Sequence, residues 1–132
     1  MARKIRENIG AGTSASGSKH HRSLCSALKR LRIEWEFFPV HVCLLFLEVA
    51  HADFAGKPLT VRGAAEKVGM NDATTSRNLR VLAGGVGGRG GGIQHDIVEL
   101  HVDPTDYRSR LVKLTERGAS LYRQVLSEMD RA

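Results

Sequence analysis

The segment Thr60 to Leu82, TVRGAAEKVGMNDATTSRNLRVL, decides the fold. Thr60 carries a hydroxyl able to cap the orphan amides of a helix running to about Val68, with Ala64, Ala65 and Val68 on its inner face. Gly69 breaks that helix, being free to adopt positive φ at a helix end, and Asn71 can cap a second helix running to about Leu82. A capped helix, a short glycine turn and a second capped helix is a helix-turn-helix by spacing. On the second helix Thr75, Leu79 and Leu82 share one side, so Ala73, Arg77 and Arg80 face away from it. Asn71, Thr74 and Ser76 occupy its exposed amino-terminal part. Short hydrogen-bonding groups near the start and arginines further on suit a helix entering the major groove amino end first. Arginine can pair with guanine N7 and O6 or anchor on phosphate. The competing reading is a solvated polar face, and the helix and turn that precede it favour recognition.

Downstream, Gly84 to Gly92 reads GGVGGRGGG, a composition for a flexible link. No Lys-Ser/Thr follows it, and no helix whose amino end could receive an anion, which excludes a phosphate-binding loop. Val98, Leu100 and Val102 then alternate with Glu99 and His101, and Leu111 to Leu114 forms a second apolar segment. A two-stranded hairpin around Asp103 to Arg110 is expected, a wing. Arg108 and Arg110 project from its tip toward a narrow minor groove, while Asp106 braces the turn. Thr115 caps a last helix with Gly118, Leu121, Tyr122, Val125, Leu126 and Met129 on one stripe.

Upstream, residues 1–22 mix Gly, Ser, Lys and Arg without periodicity and read as a flexible basic tail. From Leu24 the pattern changes. Leu24, Leu28, Leu31, Trp35 and Phe38 recur at intervals of four and three, the stripe of one helix, and its polar flanks point to packing against a partner. Pro39 punctuates the run. Val40 to His51 follows as a segment apolar almost all round, expected at the centre of the core.

The chain has 132 residues, enough for one compact domain, and Lys plus Arg outnumber Asp plus Glu by 20 to 14. That balance favours a polyanionic partner. The longest apolar stretch, Val40 to Val49, is broken by His41 and Glu48 and falls short of the ~20 residues that span a bilayer, so no membrane is expected. With no secretory signal in residues 1–22, a cytoplasmic, reducing location and free thiols at Cys25 and Cys43 are expected. The histidines form no metal-binding framework, so neither metal nor cofactor is expected.

Leu59-Thr60, Ala64-Ala65, Gly69-Met70, Thr75-Ser76-Arg77 and Leu82, with Asp103-Pro104-Thr105-Asp106-Tyr107-Arg108 and Leu114-Thr115-Glu116-Arg117-Gly118, resemble the MarR family from about Trp35 to Met129. The most specific part is Asp-x-x-Asp-x-Arg followed shortly by Leu-Thr-x-x-Gly. The resemblance implies a mainly α fold with a small β-hairpin, a winged helix-turn-helix with helical dimerisation segments. Residues 23–132 would be the winged-helix DNA-binding domain, with dimerisation helices at both ends. It further implies a homodimer on a pseudo-palindromic operator in double-stranded DNA, acting as a repressor. A small-molecule effector, of unknown identity, would lie near Trp35, Phe38 and His41. Members usually pass from recognition helix to wing in a few residues, whereas Gly84 to Gly92 intervenes here, and Thr105 stands where a basic residue is common. Members also commonly continue with a further helix. Stopping soon after Met129, the dimer is expected to rest on Leu24, Leu28, Leu31, Trp35, Leu121 and Val125.

The alternative is a winged helix that binds protein without sequence-specific DNA binding. Such a module would present apolar anchors between Asn71 and Arg80, where arginines and hydroxyls stand instead. No nucleophile-base pair or metal framework points to an enzyme.

Overall fold

The computed structural model describes residues 15–84 and 95–130. Five helices and one hairpin follow in the order α1 (Ala15–Glu34), α2 (Val40–Phe54), α3 (Val61–Val68), α4 (Asp72–Ala83), β1 (Val98–Asp103), β2 (Asp106–Leu114) and α5 (Glu116–Asp130). This is a mainly α winged helix-turn-helix. Within the segment 1–22 read as a tail, Ala15 to Arg22 is already helical and continues into α1. Residues 1–14 lie outside the described residues, as do 85–94, which hold most of the glycine-rich link.

The upstream stripe does not lie on one helix. α1 ends at Glu34, and Trp35 to Phe38 turn the chain, with the Phe38 amide donating to the Trp35 carbonyl at 3.1 Å. The cause is local, because the residue before a proline is pushed away from helical backbone, and Pro39 sits at the N-cap of α2 with φ −63° and ψ 142°. The five apolar residues therefore separate. Leu31 is buried at 2% exposure, Trp35 and Phe38 pack at the edge of the core, and Leu24 and Leu28 stay open at 54% and 46%.

α2 is the central element, with Leu45, Phe46, Val49 and Ala50 fully enclosed. Its apolar surface is not covered everywhere, since Val40 and Leu44 remain exposed. α1 packs along α5, whose Leu121 and Val125 are buried in this same core. Those two residues and Leu31, expected in a dimer interface, thus serve the chain's own packing. Burial against α1 already removes them from water.

The helix-turn-helix forms as its caps dictate. Thr60 Oγ1 accepts from the Gly63 amide at 2.9 Å, and Asn71 Oδ1 accepts from the Thr74 amide at 2.8 Å. Gly69 takes φ 73° and ψ 33°, and a methyl there would meet nothing within 4 Å, so conformation and not space requires glycine. Thr60→Ala is expected to cost about 1 kcal/mol and lower the melting temperature by roughly 4–8 °C, read by circular dichroism.

The hairpin is antiparallel, Val98 opposite Leu114 through Val102 opposite Arg110. Its inner strand is moored to the helices: the Val112 amide donates to the Leu59 carbonyl at 2.8 Å and the Leu114 amide to Asp53 Oδ2 at 2.9 Å. The chain leaves α4 at Gly84 and returns beside it. A methyl on Gly84 would stand 2.8 Å from the Asp96 nitrogen, and the His95 and Ile97 amides donate to the Val81 and Leu82 carbonyls at 3.1 and 2.9 Å. The wing is accordingly held against α4.

Both cysteines are free thiols. Burial pushes the Cys43 thiol up to about 11, while Cys25 is half-buried on α1. Alkylation of the folded protein at pH 8 should modify Cys25 and leave Cys43 unmodified until denaturant is added, because the thiolate is the reactive form. Equal labelling of both, read by mass spectrometry, would contradict this packing.

Candidate nucleic-acid interface

Helix α4 buries Thr75, Leu79 and Leu82 and exposes Ala73, Arg77 and Arg80. Thr75 is turned inward by its hydroxyl, which donates to the Asn71 carbonyl at 2.9 Å. Thr74 and Ser76 are half-buried on the flanks. Arg77 Nη2 lies 3.4 Å from Thr74 Oγ1, a long contact that leaves the guanidinium donors open to solvent. The exposed Asn71 caps α4 through its side-chain oxygen, as its position before the helix predicts, because an unpaired helix amide is satisfied by the nearest local acceptor.

The wing tip is shaped by two aspartates. Asp103 Oδ1 accepts from the Thr105 amide at 2.9 Å and from its hydroxyl at 2.7 Å, and these bonds hold its carboxyl below the usual range. Asp106 Oδ1 accepts from the Arg108 amide at 3.1 Å. Asp106 is thus bonded to the backbone of the turn and leaves the Arg108 guanidinium free of that bond. Asp103 pairs with Asp106 and Val102 with Arg110, so Tyr107 to Ser109 bulge out of the ladder. The bulge presents Tyr107 with the Arg108 guanidinium 5.8 Å above its ring centroid.

Arg110, expected to project to DNA, turns back instead. Its Nη1 donates to the Tyr107 and Ser109 carbonyls at 3.2 and 3.3 Å, satisfying acceptors that the bulge leaves without ladder partners. One face thus carries Arg77 and Arg80 on α4, and the wing adds Arg108.

Trp35 and Phe38, expected beside an effector, pack against the His95 ring, and His41 is exposed on α2. A cleft of about 260 Å³ lies one turn away, lined by Arg30, Ile33, Glu34, Arg117, Ser120 and Leu121. The sequence reading missed His95. Its signal was faint: a lone histidine after a glycine run.

No protein-family model matches the chain, and no curated protein sequence does. Solved structures do match in architecture. A DNA complex of MepR from Staphylococcus aureus is 19% identical, covering 78% of this chain and 77% of that one with a TM-score of 0.55. RV1404 from Mycobacterium tuberculosis is 16% identical over 98% of this chain and 74% of its own, with a TM-score of 0.61. The transcriptional regulator Tm0710 from Thermotoga maritima is 12% identical over 98% and 72%, with a TM-score of 0.57. The fold is the winged helix-turn-helix of MarR-like regulators.

Proposed function

We propose that this chain is a MarR-type DNA-binding transcription regulator acting in the cytoplasm. The observation that carries the reading is the outer face of α4, where Arg77 and Arg80 stand exposed beside Thr74 and Ser76 at the mouth of a helix-turn-helix. The chain's formal net charge of +6 and the DNA complex of the similarly folded MepR support it. α4 enters the major groove and the Arg108 side of the wing follows the adjacent minor groove.

The working form is a homodimer on a pseudo-palindrome. Leu24 and Leu28 of α1 and Leu126 and Met129 of α5 leave apolar surface open on the paired helices, which a second copy would cover. Bound across a promoter, such a dimer would repress by steric occlusion. Selection of bound sequences from random duplex DNA tests the whole reading. A symmetric, enriched motif is expected, and recovery of unenriched sequences at every salt concentration would refute it.

Arg108 offers a separate check. A contacting arginine releases counterions, so Arg108→Ala should weaken binding across sequences and flatten the log-affinity against log-salt slope by about 1. An unchanged slope with intact affinity would remove the wing from the interface.

A further inference from the structure

Three stretches distant in sequence converge on one buried carboxylate. Glu34 closes α1 with its side chain only 7% exposed. Its Oε2 stands 2.8 Å from Nδ1 of His95, itself 4% exposed, and its Oε1 stands 2.5 Å from Nη2 of Arg117 in the first turn of α5. The His95 ring is stacked on Trp35, with centroids 4.5 Å apart, and lies near parallel to Phe38 at 6.4 Å. The main chain of the same histidine is tied elsewhere, because its amide donates to the Val81 carbonyl in the last turn of α4. His95 therefore grips the recognition helix with its backbone and the α1–α5 pair with its ring.

Taking the Glu34 carboxylate and the His95 imidazole out of water consumes much of what their attraction returns, and Arg117, 60% exposed, reaches in from the solvent side, so the group adds little net stability. What it adds is direction. Apolar contacts such as those of Leu79 and Leu82 tolerate sliding, whereas hydrogen bonds hold both distance and angle. A buried carboxylate partnered on both oxygens selects one arrangement among several that pack equally well.

We propose that His95, Glu34 and Arg117 form a joint that sets the direction of α4 relative to the α1–α5 pair, with His95 and Glu34 as positioning residues for DNA recognition. The DNA part rests on the function proposed above. In a dimer joined through α1 and α5, the angle at this joint sets the separation of the two recognition helices, and so the half-site spacing that is read.

The test uses His95→Phe, which keeps a stacked ring and loses the bond to Glu34, with His95→Asn as the conservative variant that restores a donor near the Nδ1 position. Operators selected by the wild type are re-spaced by one base pair between half-sites. The wild type should lose about tenfold in affinity, while His95→Phe should lose no more than about threefold and His95→Asn should recover the discrimination. Arg77→Ala, a recognition variant, should weaken both spacings alike. Independently of DNA, nitroxide labels are placed at Lys29→Cys on α1 and Asp72→Cys on α4 in a Cys25→Ser chain, diluted with unlabelled protein so that only intrachain pairs are read. The distance distribution should be narrow in the wild type and broaden in His95→Phe. An equally narrow distribution in His95→Phe overturns the joint whatever the DNA result. A chain that binds no DNA, yet broadens on this substitution, keeps the joint and refutes the regulator. Should His95→Phe not fold, Glu34→Gln carries the same two measurements, with the same outcomes deciding.

Discussion

Gly118→Ala is expected to destabilise the protein strongly, lowering its melting temperature by roughly 10 °C or more. A Cβ at this position would stand 1.8 Å from the Ile97 carbonyl oxygen and 2.7 Å from its carbon. Both are backbone atoms, so no rotamer change relieves the clash. Ile97 cannot retreat, because its side chain is fully buried and its amide is bonded to the Leu82 carbonyl at 2.9 Å. α5 would have to move instead. That movement would pull Thr115 Oγ1 from the Asp96 carbonyl, now at 2.6 Å, and Arg117 from Glu34. Overpacking of this kind against fixed backbone costs about 3 kcal/mol or more, a large share of the roughly 5–15 kcal/mol that a domain possesses. Thermal denaturation followed by circular dichroism checks it. A melting temperature within roughly 4 °C of the wild type would mean that α5 and residues 95–97 are not packed as described.

Arg77→Ala is expected to give the largest loss of DNA binding, about 1–3 kcal/mol, or roughly five- to 150-fold in affinity for a selected site. The side chain is exposed and holds only a long 3.4 Å approach to Thr74 among the hydrogen bonds of the described residues. Folding should therefore be unaffected, and the loss belongs to binding alone. Preference should relax at one position in each half-site, which distinguishes a base reader from a phosphate anchor. Titration of labelled duplexes carrying each base at each position provides the measurement. If neither Arg77→Ala nor Arg80→Ala changes affinity for the selected site, α4 is not the recognition helix.

Much of this architecture was legible because its causes are local. Caps at Thr60, Asn71 and Thr115 act on amides three residues away, and Gly69 answers to its own φ, so each is readable in a short window. The period of Thr75, Leu79 and Leu82 likewise oriented α4 before any packing was known. The wing was legible from strand alternation, though not the bulge at Tyr107 to Ser109 that turns Arg110 back on its own backbone.

The sequence by itself determined the order of elements, the helix-turn-helix and which face of α4 is open, since these depend on propensity, capping and period within a few residues. Only the tertiary structure decided that Leu31, Leu121 and Val125 belong to the chain's own core while Leu24 and Leu28 stay open, because periodicity marks an apolar stripe without saying what covers it. It also decided that the chain re-enters beside Gly84 and that His95 meets Glu34 across 61 residues and Glu34 meets Arg117 across 83. Contacts at that separation leave no periodic trace, because they arise where independently formed helices happen to bring single side chains within hydrogen-bond reach.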